Sequence, residues 1–214
     1  MRNRDRWTRL GRPVVAIVVG GVVAWYAFVA NRPVPVLDWF DLAVHEAGHL
    51  IAGVLPRLAM FLAGSVAQVA FPLAMAAYFW ARTRDAASTG FCLVWAGASA
   101  WDVSVYAGDA VSQSLPLVGG GEHDWAYILG PNGFDALHMT AAVAGFIEFS
   151  GAVMAVLGIG IALRSAVAGL SPAPTGEALP DASRVVARAA IPPTASEGDP
   201  WLAAAALPFR HAGD

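Results

Sequence analysis

The sequence predicts an all-α integral membrane protein of four to five transmembrane helices, and three observations carry that expectation. Hydrophobic residues make up 57% of the 214 and charged residues only 14%, whereas soluble domains carry about 25% charged residues. Mean hydropathy is +0.56. Apolar runs of spanning length recur along the chain, and about 20 such residues cross a bilayer as a helix.

The elements follow in order. Residues 1–12, "MRNRDRWTRLGR", carry five arginines and read as a basic cytoplasmic N-terminus. The run 13–30 is apolar throughout and has no small-residue cleavage site, so it reads as an uncleaved anchor. A Pro-rich turn, 31–36, leads into 37–55, "LDWFDLAVHEAGHLIAGVL". Further apolar runs cover 58–81, 88–107 and 139–163, so the membrane-embedded domain is expected over 13–163. Residues 164–214 are rich in Pro, Ala, Ser and acids and lack an apolar period; they read as a disordered tail. Ala16, Gly20 and Ala24, and Gly151, Ala155 and Gly158, either let helices approach closely or reflect composition alone.

Charge orients the chain and excludes some partners. All thirteen basic residues are Arg and the net charge is −3, which argues against a nucleic-acid partner. Short-loop arginines mark the cytoplasmic side. If 37–55 is re-entrant, Arg82, Arg84 and Arg164 join the N-terminus inside, and only Arg32 and Arg57 lie outside. If it spans, that order is lost. The re-entrant count is the better one and predicts a cytoplasmic N-terminus. The single Cys92 excludes an internal disulfide and a cysteine-based zinc site.

The run 37–55 carries unusual chemistry. His45 and His49 are four apart, so on a helix they lie about 40° from one another and both rings reach one ion. Glu46 stands beside them, placed to take a proton from a zinc-activated water. Asp41, one turn before His45, is expected to accept that ring's second N–H from outside the ligand set. Ionisable groups inside a membrane cost ~2.5–3.5 kcal/mol each on insertion scales, so His45, Glu46 and His49 need partners. The bland alternative is a polar helix facing water.

Catalytic zinc usually takes three protein ligands. The candidates cluster between 101 and 130. His123, flanked by acids and preceded by three glycines, is the first choice for the third ligand. Asp109 is the alternative, and Asp124 is the partner or substitute of His123. His123 also reads as a capping or loop histidine, and Asp109 as a solvated acid at a helix end or in a loop. Gln68 and Ser65 read as hydrogen-bonding glue between helices. Glu148, inside the last run, calls for a partner, and His138 reads as an interface histidine.

"HEAGHLIAG" in an apolar helix resembles the zinc helix of the site-2-protease-like intramembrane metallopeptidases. The wider pattern, "GSVAQVAFPL", "YAGDA", "LPLVGG" and "HDW", is similar to a group of uncharacterised bacterial multi-pass membrane zinc peptidases. The resemblance covers about residues 37–130. It implies one Zn2+ per chain on His45 and His49, with Glu46 as catalytic acid/base. The chain departs from the family in lacking an Asn-Pro-x-x-Asp-Gly motif, which puts the third ligand in question. The expected function is therefore a membrane zinc hydrolase, foremost a metallopeptidase cleaving a membrane protein or peptide among membrane lipids. The alternatives are a hydrolase of lipid amides or esters and a non-catalytic metal-binding protein.

Overall fold

Helices account for the regular structure: the chain's apolar residues lie in long runs, and a helix satisfies all the backbone hydrogen bonds of such a run within itself. The computed structural model describes residues 7–118 and 121–170. Helix α1 is Arg12–Phe28, preceded by a π turn at Trp7–Gly11. Helix α2 is Leu37–Ile51, and α3 is Arg57–Tyr78, prolonged by a π turn at Phe79–Thr83. Helix α4 is Ala86–Gly108 and α5 the short Asp124–Leu129. Helix α6, Thr140–Leu170, follows a 3-10 turn at Leu137–Met139. No strand occurs among the described residues.

Helix α4 is the central post. Its Ala96, Ala98, Ala100 and Ala107 are almost wholly buried, and α1, α3 and α6 pack around it. Small residues make this possible. A Cβ on Gly97 would stand 2.5 Å from the Gly151 carbonyl oxygen, and one on Gly90 2.5 Å from that of Gly158. The backbones of α4 and α6 therefore touch, and Gly151, Ala155 and Gly158 are contact residues rather than a compositional accident. Gly20 of α1 likewise faces Val94. Asp85 caps α4, accepting from the Ser88 amide at 3.3 Å.

Successive long helices, α1, α3, α4 and α6, alternate in direction. Arg12 pairs with Asp85 at one end of α1 and α4, and Trp101 donates to Asn31 at the other, so these two run parallel. α6 runs against α4, with Gly158 beside Gly90 and Gly151 beside Gly97. α3 also runs against α4, since Gln68 reaches Asp102 and the π turn after α3 leads straight to Asp85.

Three segments are long and apolar enough to cross a membrane: Arg9–Phe28, Arg57–Thr83 and Leu137–Leu170. Helix α4, expected as a fourth span, has the length but not the apolarity. Enclosed by neighbours, it carries Ser, Thr, Gly and Ala where a lipid-facing helix carries Leu and Val. Helix α2 has 15 residues, about 22 Å at 1.5 Å each, too short to span. It begins level with the middle of α4, where Trp95 and Ser99 donate to Asp41. It ends beside Met60, at the head of α3. Its outer face, Trp39, Leu50 and Ile51, is exposed and apolar. At the other boundary Arg164 does not end α6, which continues to Leu170 because "SAVAGL" suits a helix and Gly169 lies against the Arg9 backbone. The expected tail beyond residue 170, and residues 1–6, lie outside the described residues.

Candidate metal centre

The centre is built where α2 crosses α3. Gly48 permits the crossing: a Cβ there would lie 2.5 Å from the Ala63 carbonyl oxygen. This proximity brings His45 and His49 against Gly64 and Gln68, one turn apart on α3. His45 Nδ1–H donates to Gln68 Oε1 at 3.1 Å. Gln68 is oriented in turn by Asp102, which accepts from its Nε2 at 2.7 Å. His49 Nδ1–H donates to the Met60 carbonyl at 2.9 Å. Each imidazole, when neutral, thus carries its proton on Nδ1 and presents a bare Nε2 to the site.

The two bare nitrogens converge on one carboxylate oxygen. Asp124 Oδ2 lies 2.9 Å from His45 Nε2 and 3.0 Å from His49 Nε2. The side chains of His45, His49 and Asp124 are only 7%, 17% and 9% exposed. Three groups that are electron-pair donors when the rings are neutral therefore face one another in a buried space, and a positive charge between them, whether protons or a metal ion, relieves that arrangement. Protonating both rings would set two cations against one oxygen. One divalent ion satisfies all three groups, and the donor set, two imidazoles and a carboxylate, suits zinc. The ligand atoms lie within 4.8 Å of one another. Gly64 keeps the space open, since a Cβ there would lie 2.5 Å from His49 Nε2 and 2.6 Å from His45 Nε2. The residues fit a metal.

The third member of the cluster is Asp124, not the expected His123 or Asp109. His123 is the residue before α5, and its Nδ1 accepts from the Ala126 amide at 3.3 Å. Its Nε2–H therefore points away from the site and donates to Asp109 Oδ2 at 3.3 Å. Both nitrogens are used, and the capping role turns the neighbouring Asp124 inward. Asp109 serves the loop: its Oδ1 accepts from the Ser112 hydroxyl at 2.5 Å and the Ser114 amide at 3.0 Å, and its Oδ2 from the Leu115 amide at 2.9 Å. Desolvation pushes this carboxyl up, but the Ser112 hydroxyl and the Leu115 and Ser114 donors outweigh it and hold it well below the usual carboxylate range.

Asp41 is the second correction. It accepts from Trp95 Nε1 at 2.8 Å and Ser99 Oγ at 2.7 Å, anchoring α2 to α4, while Gln68 takes the His45 N–H that Asp41 was expected to accept. Both glue residues bond across helices as expected, Ser65 accepting from Trp125 Nε1 at 3.1 Å. The sequence reading passed over Gly64 and the second role of Gln68; the spacing of "GSVAQ" places both on the face that meets α2.

Glu46 is half-buried and accepts no hydrogen bond among the described residues. It lines a cavity of about 670 Å³ together with His45, His49, Asp124, Tyr106 and Leu117. Tyr106 Oη accepts from the Asp124 amide at 3.1 Å, and its ring lies over His123 at 4.3 Å. Glu148 lies on an exposed face of α6, away from this cavity. No protein-family model, curated protein or solved structure matches the chain.

Proposed function

We propose that the chain is a multi-pass membrane zinc hydrolase, and specifically a metallopeptidase acting on a peptide bond in or beside the bilayer. In this reading α4 is a fourth span, enclosed by the other three, and α2 is a half-depth re-entrant helix. His45, His49 and Asp124 hold the ion and Glu46 is the acid/base. The observation that carries the reading is the convergence of His45 Nε2, His49 Nε2 and Asp124 Oδ2 beside Glu46, a carboxylate with no hydrogen-bond partner among the described residues.

A bound zinc supplies Lewis acidity and makes water a nucleophile near neutral pH. Glu46, adjacent to the residues that would hold the ion and accepting no hydrogen bond among the described residues, would take a proton from water activated there and return it to the leaving amine. Tyr106 stands in the same cavity. Its oxygen already accepts from the Asp124 amide, which leaves the phenol proton for charge developing on the substrate carbonyl.

The test is zinc content and peptide cleavage on detergent-purified protein. Wild type is expected to carry about one zinc per chain, His45→Ala and Asp124→Ala none, and Glu46→Gln a full complement. Cleavage of a membrane-peptide library is expected in wild type only. Absence of zinc after add-back overturns the reading. Zinc with Glu46-dependent turnover of lipid amides but not peptides replaces the peptidase with a lipid hydrolase.

A further inference from the structure

We infer that the metal centre opens on the extracytoplasmic side of the membrane, so that its substrate is presented from the outer half of the bilayer or from the space beyond it. This rests on the metal reading only for the word substrate; the orientation rests on where the arginines stand in the folded bundle.

One end of the bundle collects them. Arg9 precedes α1 and Arg12 opens it, Arg82 and Arg84 follow α3, and the alternation of directions brings these together. Arg12 pairs with Asp85, and the end of α6, with Arg164 two turns from it, lies against the Arg9 backbone at Gly169. Five arginines from three separate segments thus share one end. The opposite end carries Arg32 and Arg57, and Arg57 is paired with Glu122. Arginine in short loops is retained on the cytoplasmic side, so the five-arginine end is cytoplasmic.

The metal centre belongs to the other end. His49 is bonded to Met60, four residues into α3 from Arg57. Asp124 opens α5, in the connection between the ends of α4 and α6 that are remote from Asp85. Leu115, Leu117, Val118 and Glu122 of that connection line the cavity beside the ligands, so the approach to the site lies there. The apolar outer end of α2 and the turn after it, Leu50, Ile51 and Val54, give a lipid-borne substrate a lateral route at the same depth.

The test is labelling of single introduced cysteines with a membrane-impermeant maleimide on intact spheroplasts. Native Cys92 is buried and serves as the background. Glu122→Cys and Asn132→Cys report the site end, and Thr83→Cys the other; all three positions are exposed. Expected is labelling of the first two before lysis and of Thr83→Cys only after it. The reverse pattern, equal labelling of both ends, or no labelling of the site end before lysis overturns the inference. Zinc is measured on the same preparations, so a correct orientation without zinc defeats the metal reading alone.

Discussion

A neutral imidazole has one proton, and in both His45 and His49 that proton is committed to an acceptor away from the site. The acceptors on Nδ1 therefore matter as much as the ligands. Removing such a partner from a metal-bound histidine typically costs 10–100-fold in affinity. Gln68→Leu is accordingly expected to weaken zinc binding by about 10–100-fold, read by competition with a calibrated chelator; unchanged affinity would show that Gln68 does not set the tautomer. Gly64→Ala is a sharper case. Alanine favours a helix interior by about 1 kcal/mol over glycine, yet the new methyl would lie within 2.6 Å of both nitrogens. The expected outcome is a folded, helical protein without zinc, and zinc retention at full stoichiometry counts against the site. Tyr106→Phe is expected to keep zinc and lower kcat about 10²–10³-fold, the usual cost of one oxyanion donor. At this scale the pair His45 and His49 and the flanking Glu46 were legible, because helical spacing alone aligns them. The third member of the cluster was not. His123 and Asp124 are adjacent, and which of them faces inward is decided by the capping bond to Ala126, which lies below the resolution of composition or spacing.

Helices and loops impose the next set of constraints. The connection after α4 is pinned by Asp109, which holds Ser112, Ser114, Leu115 and His123 at once, and through His123 it fixes where α5 starts. Asp109→Asn replaces an all-acceptor group by one with a donor on one side, which sets that donor against an N–H. A loss of about 1–3 kcal/mol is expected, together with weaker zinc binding through displacement of Asp124. The pH dependence has a definite sign. Because the folded carboxyl titrates below its unfolded value of ~3.9, its stabilisation is complete above that value and is lost as pH falls towards the folded one. The difference in unfolding temperature between wild type and Asp109→Asn is therefore expected to be constant at neutral pH and to shrink only in acid below about pH 4. A difference that grows on acidification would refute the assignment. The capping and helix-end roles that His123 and Asp109 play were among the plain readings of the sequence. Helix α4 was legible as a helix but not as the enclosed one: burial on every side removes the selection for apolar side chains that makes a span visible, and only its glycines hint at it.

On the scale of the whole chain, the ligands divide between two elements that meet chiefly at the ligands themselves. Helices α2 and α5 both pack on α3, and the contact that joins them is that of His45 and His49 with Asp124. An ion held by these three side chains would therefore tie α2, α5 and the loop ahead of α5 together. Ligand binding to the folded state alone stabilises it by about 2.7 kcal/mol when the free ligand is at 100 times Kd. Zinc at that excess is therefore expected to raise the unfolding temperature of metal-stripped wild type in detergent and to protect the backbone amides of α5 from exchange. Asp124→Ala keeps two ligands but loses the one that joins the elements, and is expected to show neither effect. Equal stabilisation of the two proteins would mean that the ion sits on α2 alone and does not clasp the bundle. The division between distant segments also explains what a linear reading can reach. Apolar run lengths place the helices one by one, whereas the closure of α5 onto α2 depends on which side of α3 each of them packs, and that follows from Gly48, Gly64 and Ser65 acting together across the fold.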